Sequence, residues 1–281
     1  MIPKEIQVKN KAVEKLFTTG YDVSPKMIED LLHMEGIEED LLRILQDAAA
    51  RPRFYADLPL DGGRLAPVHA ILLLRQMHSD HATRLVMELL QGDAYTMELL
   101  FGDTFMLEEM WPFITFSAKA HFRTYVDMLH QGDIDPFSKL AVSTGLAQAV
   151  FYEPGIAPKV ETAFRELLEL FIEKADDLQN DEAVFDGSDA DSDIEFISNF
   201  ALDVSDTGFE SLRPLVEELI DLRIIDTDIV DEVDLDFKAR KKEIHPILKV
   251  YETFRLENEG EIEKATDSNE KIKKTKQADE D

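Results

Sequence analysis

Apolar residues fall at i, i+1 and i+4 five times along the chain: Leu41-Leu42…Leu45, Leu85-Val86…Leu89, Tyr125-Val126…Leu129, Leu167-Leu168…Phe171 and Leu215-Val216…Leu219. Each triplet occupies one side of a helix. Their second members lie 44, 40, 42 and 48 residues apart, near the period of about 40–47 residues of HEAT-type helical repeats. A turn and another apolar segment precede each triplet, so the pattern predicts five helix hairpins with the triplet on the second helix. Alternating Val, Ile and Thr with regular turn signals are sparse, and no strand is expected. The predicted fold is all-α, an α-solenoid of about five HEAT-like hairpins (an α-α superhelix).

The hairpins are delimited by local chemistry. Ser24-Pro25 reads as an N-cap followed by proline in the first turn, with Met27, Ile28, Leu31 and Leu32 striped behind it and Gly36 after. The partner helix ends near Arg51-Pro52. LAPVHAILLLRQM is apolar nearly all round, which predicts a helix covered on more than one side. Ser79-Asp80 is the next turn, with Asp80 placed to N-cap HATRLVMELL. Residues 93–116 carry Phe101, Phe105, Trp111, Phe113 and Phe116, interrupted by Gly102 and Pro112. They predict a short or kinked first helix before the stripe Phe122, Tyr125, Val126 and Leu129. Asp135-Pro136 opens a helix with Leu140, Leu146 and Val150 apolar. VETAFRELLELFIEKA has the strongest stripe: Val160, Phe164, Leu167, Leu168, Phe171 and Ile172. The last hairpin is expected over residues 194–202 and 209–222. The domain organisation is then an N-terminal segment 1–23, a repeat domain 24–240 with an acidic insert at about 176–193, and a charged tail 241–281, partly disordered.

LAPVHAILLLRQMHSDHATRLVMELLQGD, flanked by DGG before it and ELLFGDTFMLEEMWPFI after it, resembles a bacterial HEAT-like helical-repeat family of unknown function, over roughly residues 24–225. The resemblance implies a fold and carries no chemistry with it. Some relatives end in a small Cys-rich metal-binding motif associated with translocation chaperones; this chain contains no cysteine and departs from that version.

Charge sharpens the picture. The formal net charge is −29 over 281 residues, which opposes docking on phosphate backbones or anionic lipid. Residues 1–174 hold 17 basic and 27 acidic residues, residues 175–236 hold 2 and 21, and residues 237–281 hold 11 of each. Such clustering has two readings, a solvated insert or a docking surface for a basic partner. The candidate partner-binding residues are Asp181, Glu182, Asp186, Asp189, Asp191 and Asp193. Calcium fits poorly: an EF-hand loop starting at Asp189 needs Gly and Glu at its sixth and twelfth places, which hold Ile194 and Phe200.

Other constellations read as structural. His78 and His81 bracket a turn and belong to different helices, with His69 further back. Glu108-Glu109 and Glu217-Glu218 are adjacent, so each pair diverges around its helix. Trp111, Phe113, Phe116, Phe122 and Tyr125 read as a bulky core before a ligand groove. Lys238-Ala239-Arg240-Lys241-Lys242 is expected to cap a helix or pair with acidic neighbours. No Gly-rich phosphate loop or hydrolase elbow is present. Absence of cysteine excludes thiol catalysis and Cys-ligated metals. The opening residues lack a signal-peptide core, and the longest aliphatic run, residues 70–74, is far short of a span.

The expectation is a cytoplasmic, non-enzymatic interaction scaffold for a protein partner, with no cofactor, metal, nucleic acid or membrane. Alternatives are a hydrolase with a carboxylate-lined pocket on a helical-repeat fold, and an acidic, nucleic-acid-mimicking sequestering protein.

Overall fold

A computed structural model describes residues 8–59, 62–92, 94–185 and 188–256. Among these the protein is all-α, with no strand, and no helix is long and apolar enough to cross a membrane. The helices are α1 (Pro25–Leu32), α2 (Ile37–Ala50), α3 (Pro52–Ala56), α4 (Ala66–Met77), α5 (Asp80–Leu90), α6 (Ala94–Leu100), α7 (Gly102–Glu109), α8 (Trp111–Leu129), α9 (Pro136–Tyr152), α10 (Ala157–Glu173), α11 (Ala175–Gln179), α12 (Ala190–Thr207), α13 (Arg213–Asp221) and α14 (247–256).

The five triplets lie on α2, α5, α8, α10 and α13, and each places at least two of its three residues in the core. Consecutive second helices touch, α2 against α5, α5 against α8 and α10 against α13. First helices do the same, α1 against α4, α7 against α9 and α9 against α12. Between α8 and α10 the row parts into an open cleft of about 650 Å³, lined by Phe122, Val126, Pro158 and Lys159 among others.

Helix starts follow the expected chemistry with one exception. Ser24 accepts from the Met27 amide at 3.2 Å and Asp135 from the Ser138 amide at 3.0 Å, each satisfying an orphan donor of the first turn. At the α4–α5 turn the cap is Ser79, whose Oγ accepts from Ala82 N at 3.1 Å, and Asp80 is the first helical residue instead. The smaller hydroxyl fits the cap geometry, and the carboxylate stays in the first turn, where the helix dipole favours it. Trp111-Pro112 starts α8 and does not end the preceding segment, since proline fits the first turn. The preceding segment is two short helices parted at Gly102, whose φ of 73° is the left-handed conformation glycine takes freely.

Two helices are enclosed on every side. All residues of α4 from Ala66 to Arg75 are buried, as expected from its all-round apolar sequence. All residues of α9 from Ser138 to Val150 are buried too, although Ser, Thr, Gly and Gln occupy many of them. Small side chains let neighbours come close. A Cβ on Gly145 would lie 2.4 Å from Ile114 Cβ and 2.9 Å from the Trp111 carbonyl, and Thr115 Oγ1 donates to the Gly145 carbonyl at 2.9 Å. Gly145 therefore sets the contact distance between α8 and α9.

What covers α4 and α9 comes from the chain ends. Residues 8–23 fold against α2 and α4: buried Asp40 accepts the amides of Lys9 (2.9 Å) and Asn10 (2.8 Å) and pairs with Arg43. From the other end, residues 235–246 run without regular structure across α12 and α9, and α14 then lies by α4, with Ile247, Val250 and Tyr251 buried. His69 joins the two ends, Nδ1 at 2.6 Å from the Tyr251 hydroxyl and Nε2 at 2.9 Å from the Thr19 carbonyl. The stretch 241–256, expected to begin the tail, thus packs on the helices; residues 257–281 lie outside the described residues.

Candidate functional site

The acidic region divides into inward and outward carboxylates. Asp193 is buried; its Oδ2 accepts from the Val184 amide at 2.7 Å and the Ser188 hydroxyl at 2.8 Å. Lys139 of α9 is buried beneath the insert with its ammonium 4.1 Å from the centre of the Phe185 ring and 5.4 Å from that of Phe196. Burial lowers the Lys139 pKa, opposed by the charge of Asp193. Phe185 and Asp193 thus pin the insert onto α9. Asp189 is the N-cap of α12, accepting from Ser192 N and Oγ at 2.9 Å each, and those bonds hold its carboxyl below the usual range. This cap starts α12 at Ala190, four residues before the expected start of that hairpin and inside what reads as insert.

Asp181, Glu182 and Asp191 point to solvent, and Asp186 lies outside the described residues. Gln179 donates to the Leu222 carbonyl at 2.7 Å, which sets the start of the insert beside the end of α13, where Glu217, Glu218 and Asp221 are exposed. Of the two basic residues in 175–236, Arg213 is taken by Glu210 at 2.7 Å and Arg223 is exposed. The outward face of this region therefore carries an excess of negative charge, with Lys174 near Glu182, Arg213 near Glu217 and Arg223 exposed among the acids. Among the described residues no group of three His, Asp or Glu side chains gathers in metal-binding geometry.

The second feature is the groove between α9 and α12, filled by residues 237–242. Gln148, almost wholly buried at 1% exposure, gives both ends of its amide to the strap: Nε2 donates to the Arg240 carbonyl at 3.0 Å and Oε1 accepts the Lys242 amide at 2.7 Å. Ser205 Oγ accepts the Phe237 amide at 2.9 Å. The Arg240 amide donates to the Asp206 carbonyl at 2.8 Å, and the Tyr152 hydroxyl to the Lys242 carbonyl at 3.1 Å. Arg240 also pairs with Asp206 at 2.9 Å and Asp236 at 2.7 Å, so the basic run does bind acidic neighbours. Sequence reasoning missed Gln148 and Ser205, because a polar residue inside a helix gives no sign of which backbone it faces.

Beneath the strap, Asp203 accepts from Ser143 Oγ and from Thr144 Oγ1 (2.9 Å). Burial raises its pKa to about 6, against the opposing charge of Lys242 and the two hydroxyl donors. A raised carboxyl favours folding fully below its unfolded value of 3.8 and loses that contribution as pH rises through about 6. His69 has the opposite sign. Burial lowers it from 6.5 to about 4, so stability is lost as pH falls through that interval. The two slopes offset between about pH 4 and 6. Asp203→Asn should therefore be more stable than wild type at pH 7.5, by about 1–3 kcal/mol for a shift of about two pKa units, with the gain gone by pH 4. Urea unfolding at both pH values measures it, and a variant weaker at pH 7.5 would mean that the hydroxyls hold an anion at no net cost.

The chain matches no family model, no curated protein and no solved structure.

Proposed function

We propose that the protein is a non-enzymatic interaction scaffold, an α-solenoid of about five HEAT-like hairpins that attracts a basic protein partner to the face carrying the insert and α13. The observation that carries this reading is the excess acidity of that face, with Asp181, Glu182, Asp191, Glu217, Glu218 and Asp221 all exposed. A field predominantly of one sign accelerates encounter with an oppositely charged partner and discourages nucleic acid. The order of first and second helices supports the solenoid, as does the repeat spacing, and the HEAT-like resemblance of residues 24–225 belongs to the same proposal. The buried carboxylates on which a hydrolase could be built each hold structural partners: Asp203 accepts from Ser143 and Thr144, Asp193 from Val184 and Ser188, Asp40 from Lys9 and Asn10, and Glu109 pairs with Arg75, which favours the scaffold. A cytoplasmic location is part of this reading.

The test uses a partner captured from lysate on the immobilised wild-type chain at low salt. Its association rate should fall at least about tenfold between 0.05 and 0.3 M salt as screening shortens the reach of the field. Asp181→Lys/Glu182→Lys/Asp191→Lys should bring a similar fall at low salt, with dissociation changed less. Rates indifferent to salt and to the triple substitution would remove the acidic face from recognition.

A further inference from the structure

We propose that the α9–α12 groove is a receptor for an extended basic segment of a partner protein, and that residues 237–242 are its built-in competitor. The proposal rests on the scaffold reading and adds where on the molecule a basic chain is read.

The groove recognises backbone. Gln148 and Ser205 are buried polar groups whose strap-directed atoms have no water to turn to, and an unpaired buried donor or acceptor is costly. Main-chain atoms satisfy them, while Lys238, Ala239, Arg240 and Lys241 of the strap have exposed side chains. Any segment offering the same carbonyl and amide spacing satisfies the same atoms, as in strand-addition recognition.

Two contacts then specify sequence. The chain passes so close to Gly208 that a Cβ on that glycine would lie 3.1 Å from both the Ala239 nitrogen and the Ala239 Cβ, so the bare glycine leaves room for the strap to pass. Asp206 takes the arginine that follows, and Lys242, two residues on, supplies positive charge toward buried Asp203. The segment that fits reads Arg-x-Lys.

The cis occupant is held at a disadvantage. Phe237 joins the strap to the preceding loop at φ 56°, a left-handed conformation that a bulky residue adopts only under strain. That turn is imposed by the covalent connection to residues 222–236. A free segment that begins at the Phe237 position keeps the nitrogen that Ser205 receives and has no such turn to make.

The experiment adds a fluorescent peptide of sequence FKARKKEIHP to the full chain and follows anisotropy. The chain carries either the native strap or Arg240→Glu, which sets like charge against Asp206 and Asp236. Since apparent affinity scales with the fraction of molecules whose groove is open, the peptide should bind Arg240→Glu at least about tenfold more tightly than wild type. Adding Gln148→Ala, or replacing the peptide's arginine with alanine, should cancel that gain. Equal binding to both chains overturns the proposal. Binding that ignores Gln148 but disappears with the Asp181/Glu182/Asp191 substitutions also overturns it, while leaving the scaffold reading intact. Conversely, groove binding with a salt-indifferent natural partner would sink the acidic-face reading alone.

Should Arg240→Glu unfold, hydrogen exchange on the wild-type chain decides. The Phe237, Arg240 and Lys242 amides should exchange together, at least about 100-fold faster than those inside α9, as a locally opening unit. Exchange at the rate of α9 would make the strap an inseparable part of the core.

Discussion

Glu109→Ala is expected to destabilise the protein by about 3–5 kcal/mol, the loss typical of stripping one partner from a buried ion pair. Glu109 ends α7 with one carboxylate oxygen on Arg75 Nη1 of α4 and the other 3.0 Å from His245 Nδ1. Arg75 in turn donates Nη2 to the His245 carbonyl at 2.8 Å. Arg75 and Glu109 are 4% and 3% exposed, so neither charge has water as an alternative. With Glu109 gone, the guanidinium keeps one neutral acceptor and a desolvated charge. The same substitution removes the partner of His245 at the point where the strap turns into α14, so the loss reaches the chain end as well. Glu109→Gln should cost less, because an acceptor oxygen remains. Urea unfolding at pH 7 with an unchanged m-value measures the effect. A loss below about 1 kcal/mol would mean that the pair behaves like a solvated surface bridge.

That pair illustrates what the sequence makes legible. Glu108 and Glu109 are indistinguishable as letters, one pointing to solvent and its neighbour into the core. Periodicity identifies the second helices because their stripes repeat: Leu41, Leu85, Tyr125, Leu167 and Val216 all lie in the core. It says less about α9, where burial rests on Ser143, Gly145 and Gln148 and no apolar contrast exists to be seen. The strap is hidden for the opposite reason. Its lysines and arginine point to acidic neighbours or a helix end but not to a place on α9, since the groups that order it there are main-chain atoms, which every sequence has. The acidic insert is partly legible. Its charge is plain, but the division between Asp193, turned inward, and Asp191, turned outward, depends on Lys139 and Val184, which local pattern does not connect to it.

Phe171→Ala is the second large effect expected, about 3–5 kcal/mol, in the range for truncating a fully buried aromatic. Phe171 belongs to the strongest stripe and has no exposed surface. Its ring meets those of Phe185, Phe196 and Phe200 edge-on, each with centroids 6.1 Å apart, the arrangement the aromatic quadrupole favours. One side chain thereby ties α10 to α12 and to the insert. Truncation leaves a cavity bounded by rings that are already held: Phe196 stacks on Phe200, and Lys139 sits over both Phe185 and Phe196. Collapse into the space would pull those rings off the Lys139 ammonium, so the site relaxes little and the cost stays high. Phe185→Ala removes a ring of the same size from the insert, where the chain can settle inward, and should cost less. It should, however, leave Lys139 with one aromatic face fewer. Thermal and urea unfolding of the two variants orders them. If Phe185→Ala were the more damaging, the insert would be holding the helices together, and the acidic segment would be a structural brace before it is a surface for anything else.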